Sequence, residues 1–127
     1  MKCLKFSIKQ EYFGIKINCI KEIVERDEIT NIPNSSPEIE GIMDLRGNVT
    51  SIINSRILLD MDDTDIDLDK YVIVLEFDKG LIVTEVHEVF ELEKSDIDNI
   101  ITEDSSHVLG ITEHNDEFIT IIKSDFN

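Results

Sequence analysis

The sequence predicts an all-β domain made of two small barrels that share a core. Three observations carry this prediction. The chain has 127 residues, room for a single domain that buries roughly two thirds of the surface its unfolded form exposes. Its apolar residues are dominated by isoleucine, with valine, leucine and phenylalanine behind it and no alanine, a β-branched bias that suits a pleated surface better than a helix. Short apolar segments also alternate with turn-forming residues at the spacing of small barrels.

The elements follow in order. Leu4, Phe6 and Ile8 alternate with Lys5 and Ser7, the period of a half-buried strand. Lys9-Gln10-Glu11 reads as a turn, and Phe13, Ile15 and Ile17 resume the alternation, which predicts an opening hairpin. Ile20 to Glu25 fits a helical turn as well as a bent strand, and periodicity leaves the choice open. Asn31 to Pro37 is loop, because two prolines and several turn formers cannot sustain a ladder, and Pro37 can open a helical turn over Glu38 to Glu40. Ile42 to Leu45 and Val49 to Ile53 predict a second hairpin around Arg46-Gly47-Asn48, where Gly-Asn supplies the positive φ of a tight turn.

Asp60 to Asp69 carries six aspartates and little to bury, and it reads as a solvated acidic connector between two subdomains. Tyr71 to Leu75 is continuously apolar, as in a strand buried on both faces, and Asp78-Lys79-Gly80 turns it into Leu81 to Val83. Val86, Val89 and Phe90 are expected to extend that strand system, and Glu93 to Ser106 is polar and loop-like. Val108 to Thr112 and Phe118 to Ile122 form the last pair around Asn115-Asp116. No internal repeat is clear in the sequence.

Charge and motif content exclude several function classes. A net charge of -16 and a pI near 4.3 argue against nucleic acid and anionic lipid, whose phosphates require clustered Lys and Arg. Cys3 and Cys19 lack the spacing of a zinc or redox site and read as reduced residues. Charged residues interrupt the apolar N-terminal stretch, so no signal peptide is expected, and no apolar run approaches the ~20 residues of a membrane helix. The cytoplasm is the expected location.

His87, His107 and His114 fall in no metal-binding arrangement and read as ordinary surface or strand residues. A calcium loop opening at Asp63 would need glycine and glutamate where Leu68 and Val74 stand. The glycines form no phosphate-binding cluster and the serines no nucleophile elbow. No metal, cofactor or catalytic residue is assigned. Plentiful carboxylates leave a small hydrolase or ion-binding barrel as the alternative from another class.

Two stretches resemble the CheW-like family. One runs from Phe13-Gly14-Ile15 through Ile20-Lys21-Glu22-Ile23, Ile32-Pro33-Asn34 and Pro37-Glu38 to Gly41-Ile42-Met43-Asp44-Leu45-Arg46-Gly47. The other runs from Val72-Ile73-Val74-Leu75 through Gly80-Leu81-Ile82-Val83 and Val86-His87-Glu88-Val89 to Leu109-Gly110-Ile111 and Phe118 to Ile122. The resemblance covers nearly the whole chain. It departs from the family at Asn54-Ser55, where I-D-L-R is usual, at Thr84, where aspartate is common, and in a shorter hairpin before Gly80.

What the resemblance implies is two SH3-like five-stranded barrels and a non-enzymatic chemotaxis adaptor, monomeric in dilute solution and associated with receptor arrays at the inner membrane. Its implied partners are the regulatory domain of the histidine kinase CheA and the cytoplasmic tip of a methyl-accepting chemoreceptor. A CheW-like scaffold of another signalling system is the related alternative. The implied contact residues are Ile20, Glu22, Ile23, Gly41, Arg46, Gly47, Val86 and Val89. Core packing for the four aliphatic residues and backbone geometry for the two glycines stand beside that reading. Arg46 either pairs internally with a carboxylate or reaches a partner.

Overall fold

The computed structural model describes residues 1–33, 35–97 and 107–124. Among these, one five-stranded sheet contains β1 (Lys2–Ile8), β2 (Glu11–Lys16), β8 (Glu85–Glu91), β9 (Val108–His114) and β10 (Glu117–Ile122). The other contains β3 (Ile20–Glu25), β4 (Ile39–Leu45), β5 (Asn48–Asn54), β6 (Tyr71–Leu75) and β7 (Lys79–Val83), with a helical turn, α1 (Ser55–Leu58), after β5. The strand orders are β8-β1-β2-β10-β9 and β3-β6-β7-β5-β4. Each sheet has one parallel joint, β2 with β10 and β7 with β5, and is otherwise antiparallel.

The two sheets therefore repeat one another strand for strand. The β4–β5 hairpin occupies the place of β9–β10, and Gly41-Ile42 through Ile52-Ile53 matches Gly110-Ile111 through Ile121-Ile122 in both order and spacing. The sequence reading found no repeat because most positions between these ends are substituted.

Side-chain alternation divides the apolar residues among three cores. Leu4, Phe6 and Ile8 of β1 meet Ile73 and Leu75 of β6 and Leu81 and Val83 of β7 in a cluster shared by both sheets. Val72, Val74 and Ile82 point the other way and join Met43, Ile52 and Ile66 inside the second barrel. Cys3, Phe90, Ile119 and Ile121 fill the first. β6 is thus covered on both faces, as its unbroken apolar run predicts.

Several expectations are corrected. Of the two readings open for Ile20 to Glu25, the structure has the strand, bulged between Ile20 and Glu22. Glu38 to Glu40 is not helical, because the ladder with β5 begins at Ile39, opposite Ile53. The β4–β5 turn consists of Arg46 and Gly47, at φ 53° and 88°, and Asn48 already pairs with Leu45 in the strand. The β6–β7 turn spans residues 76–78 with positive φ at Phe77 and Asp78, which leaves Lys79 and Gly80 in β7. β8 does not extend β6 and β7: the chain crosses at Thr84 and pairs with β1 in the other sheet. The acidic segment joins α1 to β6, so it connects parts of one sheet, and Ile66 and Asp69 within it are buried. Of the stretch 93–106, Lys94–Asp96 forms a 3-10 turn, and 98–106 lies outside the described residues.

Candidate functional site

The β4–β5 turn projects Arg46 across to β3. Two consecutive residues at positive φ match the right-handed twist of the hairpin, and the N–H of Gly47 donates to Asp44 Oδ1 at 2.8 Å. Arg46 Nη2 then donates to both carboxylate oxygens of Glu22, at 2.6 and 2.7 Å. The Arg46 side chain is 69 % exposed and that of Glu22 34 %. Arg46 therefore pairs within the molecule, but with a half-exposed carboxylate, and the pair remains open to a partner.

The other implied contact residues divide by burial. Ile23 on β3 and Val89 on β8 are exposed, both on edge strands, one in each sheet. Ile20 and Val86 are partly buried and pack against the shared core. Gly41 is buried where Thr30 pairs with Ile42, and a Cβ at this position would lie 2.1 Å from the Thr30 carbonyl oxygen. Gly47 has open space around it, so its glycine serves the backbone angle. The structure thus brings Glu22, Arg46 and Gly47 together, and Ile20 and Val86 to one core.

Val49 and Phe77 add exposed apolar surface at the end of the sheet that carries the Arg46 turn. Ser51 lies beside Lys79 in the parallel register and its N–H donates to Asp78 O at 2.8 Å, which sets the β4–β5 and β6–β7 turns at the same end of the sheet. Phe77 is exposed at a positive φ of 63°, a backbone state that a bulky side chain rarely adopts.

The departures from the family pattern have local explanations. Asn54 Oδ1 accepts from the N–H of Arg56 at 2.9 Å and caps α1, while its Nδ2 donates to Glu40 Oε1 at 2.6 Å. Ser55 Oγ donates to Ile82 O at 2.6 Å. Thr84 Oγ1 donates to Asp69 Oδ1 at 2.7 Å, and Asp69 is the carboxylate that faces buried Arg56. Sequence reasoning missed this cluster because Asp69 is indistinguishable from the other aspartates of its run.

Reactive chemistry is thin at these places. Among the described residues no group of three or more His, Cys, Asp or Glu side chains is placed to hold a metal. Burial pushes the Cys3 thiol up, away from the nucleophilic thiolate. At the mouth of the first barrel Lys5 donates to Glu117 at 2.6 Å and lies 4.2 Å from the Tyr12 ring centroid. That hydrogen bond holds the Lys5 ammonium above its ordinary range and the Glu117 carboxyl below its own. No helix among the described residues is long and apolar enough to cross a membrane.

Comparison with known proteins bears on these features. The family model described as CheW-like domain matches residues 2–125. "Chemotaxis protein CheW" of Helicobacter pylori is 26% identical over 129 residues, covering 97% of this chain and 78% of its own. The protein of that name from Klebsiella aerogenes is 34% identical over 92 residues, 70% of this chain and 55% of its own. The crystal structure of the scaffolding protein TtCheW from Thermoanaerobacter tengcongensis superposes with a TM-score of 0.84 at 33% identity, covering 96% of this chain and 88% of that one.

Proposed function

The chain belongs to the CheW-like family, and from that premise we propose that it is a non-enzymatic adaptor coupling chemoreceptors to the histidine kinase CheA. The observation that carries this reading is the kind of surface the fold presents. Ile23 and Val89 are exposed apolar residues on the edge strands of the two sheets, and the Glu22–Arg46 pair adds exposed charge on the other face of β3. A helical receptor tip that docks in a groove requires apolar anchors with a polar rim. The regulatory domain of CheA is the second partner, and the adaptor works beside the receptors at the cytoplasmic face of the inner membrane.

Mixing the chain with a CheA regulatory domain and a receptor cytoplasmic fragment tests the proposal. Sedimentation should show a ternary complex, and its absence at concentrations on the order of tens of micromolar would refute the reading. Light scattering of the chain alone should give a monomer, since both proposed contacts are with other proteins.

A further inference from the structure

Three neighbouring strands of the first sheet carry a lysine at the same end. Lys2 opens β1, Lys16 closes β2, and Lys123 follows the last residue of β10. The order β1-β2-β10, with β1 antiparallel and β10 parallel to β2, brings these ends together. Cys3 stands opposite Lys16, which makes Lys2 a diagonal neighbour of Lys16. Ile121 stands opposite Gly14, and Lys123 and Lys16 lie two residues further along their strands. Adjacent strands are about 4.8 Å apart, so three like charges are held close together, an arrangement that is unfavourable unless an anion neutralises it. The chain holds 28 Asp and Glu against 12 Lys and Arg, and Lys5, Lys9, Arg46, Arg56 and Lys70 each meet a carboxylate. Among the described residues Lys2, Lys16 and Lys123 form no salt bridge, although Lys2 stands opposite Glu91, whose carboxylate pairs instead with the amino group of Met1 at 3.5 Å.

Independently of this charge, cavities flank the middle lysine. One of about 590 Å³ is lined by Lys2 and Lys16 together with Ile17, Leu92 and Glu93, and one of about 190 Å³ by Lys16 and Lys123 together with Leu109 and Ile122. The larger has the volume of a small-molecule site, roughly 300–1,000 Å³. None of the contact residues discussed above lines either cavity. We propose that this end of the first barrel binds a phosphorylated small molecule with an apolar body, of the size of a mononucleotide. Its phosphates meet Lys16 with Lys2 and Lys123 on either side, and its body lies against Ile17 and Leu92. Lysine supplies point charges that suit a phosphate chain, and neither cavity is lined by an arginine, whose planar fork favours paired carboxylate oxygens. At physiological salt the Debye length is about 8 Å, so phosphates among the lysines feel these three charges and little of the distant carboxylates behind the net charge of -16. Three lysines remain too few for a nucleic-acid backbone, where roughly 6–10 phosphate contacts are usual. The cluster is invisible in the sequence because the fold assembles it from residues 2, 16 and 123.

The test is isothermal titration of the full chain with adenosine triphosphate in magnesium-free buffer, with inorganic triphosphate and adenosine as separate arms. Adenosine triphosphate should bind saturably with a Kd of about 1 mM or below, triphosphate about tenfold more weakly, and adenosine not measurably. Lys16→Gln and, separately, Lys123→Gln should each weaken binding of adenosine triphosphate, the first by about tenfold or more, at melting temperatures no lower than that of the wild type, because each change relieves repulsion between lysines. Glu93→Gln removes a negative charge from the wall and should tighten binding. Lys21→Gln, which removes an exposed lysine on β3 outside both cavities, should leave the affinity unchanged. Absence of saturable binding up to about 10 mM overturns the proposal, as does wild-type affinity in both Lys16→Gln and Lys123→Gln. Equal weakening by Lys21→Gln would reduce the effect to net charge, and equal affinity for triphosphate would leave the apolar wall without a role; either result also overturns it.

Discussion

Arg56 and Asp69 form a buried two-point ion pair: Nη1 donates to Oδ2 at 2.5 Å and Nη2 to Oδ1 at 2.9 Å, with the side chains 2 % and 0 % exposed. Thr84 Oγ1 donates to the same carboxylate and accepts from the N–H of Lys9 at 2.8 Å. One aspartate therefore ties α1, the end of the acidic segment, the β7–β8 crossover and the β1–β2 turn together. Both sheets meet at this carboxylate.

Asp69→Asn should accordingly be severe. Removing one partner of a buried pair strands the other charge and costs about 3–5 kcal/mol, a large share of the ~5–15 kcal/mol that stabilises a domain. Asp65→Asn, exposed in the same segment, should move stability by about 0.5 kcal/mol or less. Urea denaturation of the two variants compares them directly, and equal midpoints would show that the pair does not hold the segment.

Arg46→Glu should separate folding from binding. The pair with Glu22 is largely solvent-screened and contributes about 0–1 kcal/mol, so the melting curve should shift little. Binding to kinase or receptor should fall by on the order of a few kcal/mol if Arg46 is desolvated on docking. The double variant Glu22→Arg with Arg46→Glu should recover the stability but not the binding. A stable Arg46→Glu protein with normal binding to both partners would remove Arg46 from the contact set, and one that unfolds would make its role structural.

Gly41→Ala should cost more than Gly47→Ala, although both glycines lie in the same hairpin. A methyl group at Gly41 collides with the backbone of Thr30 and forces the strand apart, whereas Gly47 has open space and suffers mainly from its φ of 88°. The second change should cost about 1–2 kcal/mol and the first clearly more. Thermal melts giving the reverse order would contradict the packing described here.

The pH dependence of stability follows from the barrel-mouth and turn pairs. Hydrogen bonds from Lys5 and Lys9 hold the carboxyls of Glu117 and Asp63 below their ordinary values. A lowered folded value means stability that is present above the unfolded carboxylate range, about 3.9–4.3, and lost as pH falls through the folded values. Lys5 is shifted up by the same contact with Glu117, so its contribution is present below about 10.4 and lost as pH rises through its folded value. Glu117→Gln should therefore flatten both the acid and the alkaline limb of a melting temperature profile. Limbs parallel to those of the wild type would exclude this pair as their source.

The sequence by itself determined most of the strands and their apolar faces, because these depend on period-two alternation, while two of the hairpin turns fell a residue or two from where it placed them. The run from Tyr71 to Leu75 announced a strand covered on both sides, and Asn115-Asp116 announced its turn. The expectation that nucleic acid is not a partner rested on charge alone, which needs no coordinates. Tertiary structure decided which sheet each strand joined: nothing local distinguishes β8 from a continuation of β7, and only pairing with β1 carries it across. It also decided the fate of like residues. Asp69 and Asp65 are chemically identical, yet one lies buried against Arg56 and the other faces solvent, because burial of a charge depends on a partner brought from elsewhere in the chain. Ile20 and Ile23 differ in the same way: they stand opposite Leu75 and Ile73, both members of the shared core, yet Ile20 packs against that core and Ile23 stays exposed on the edge strand.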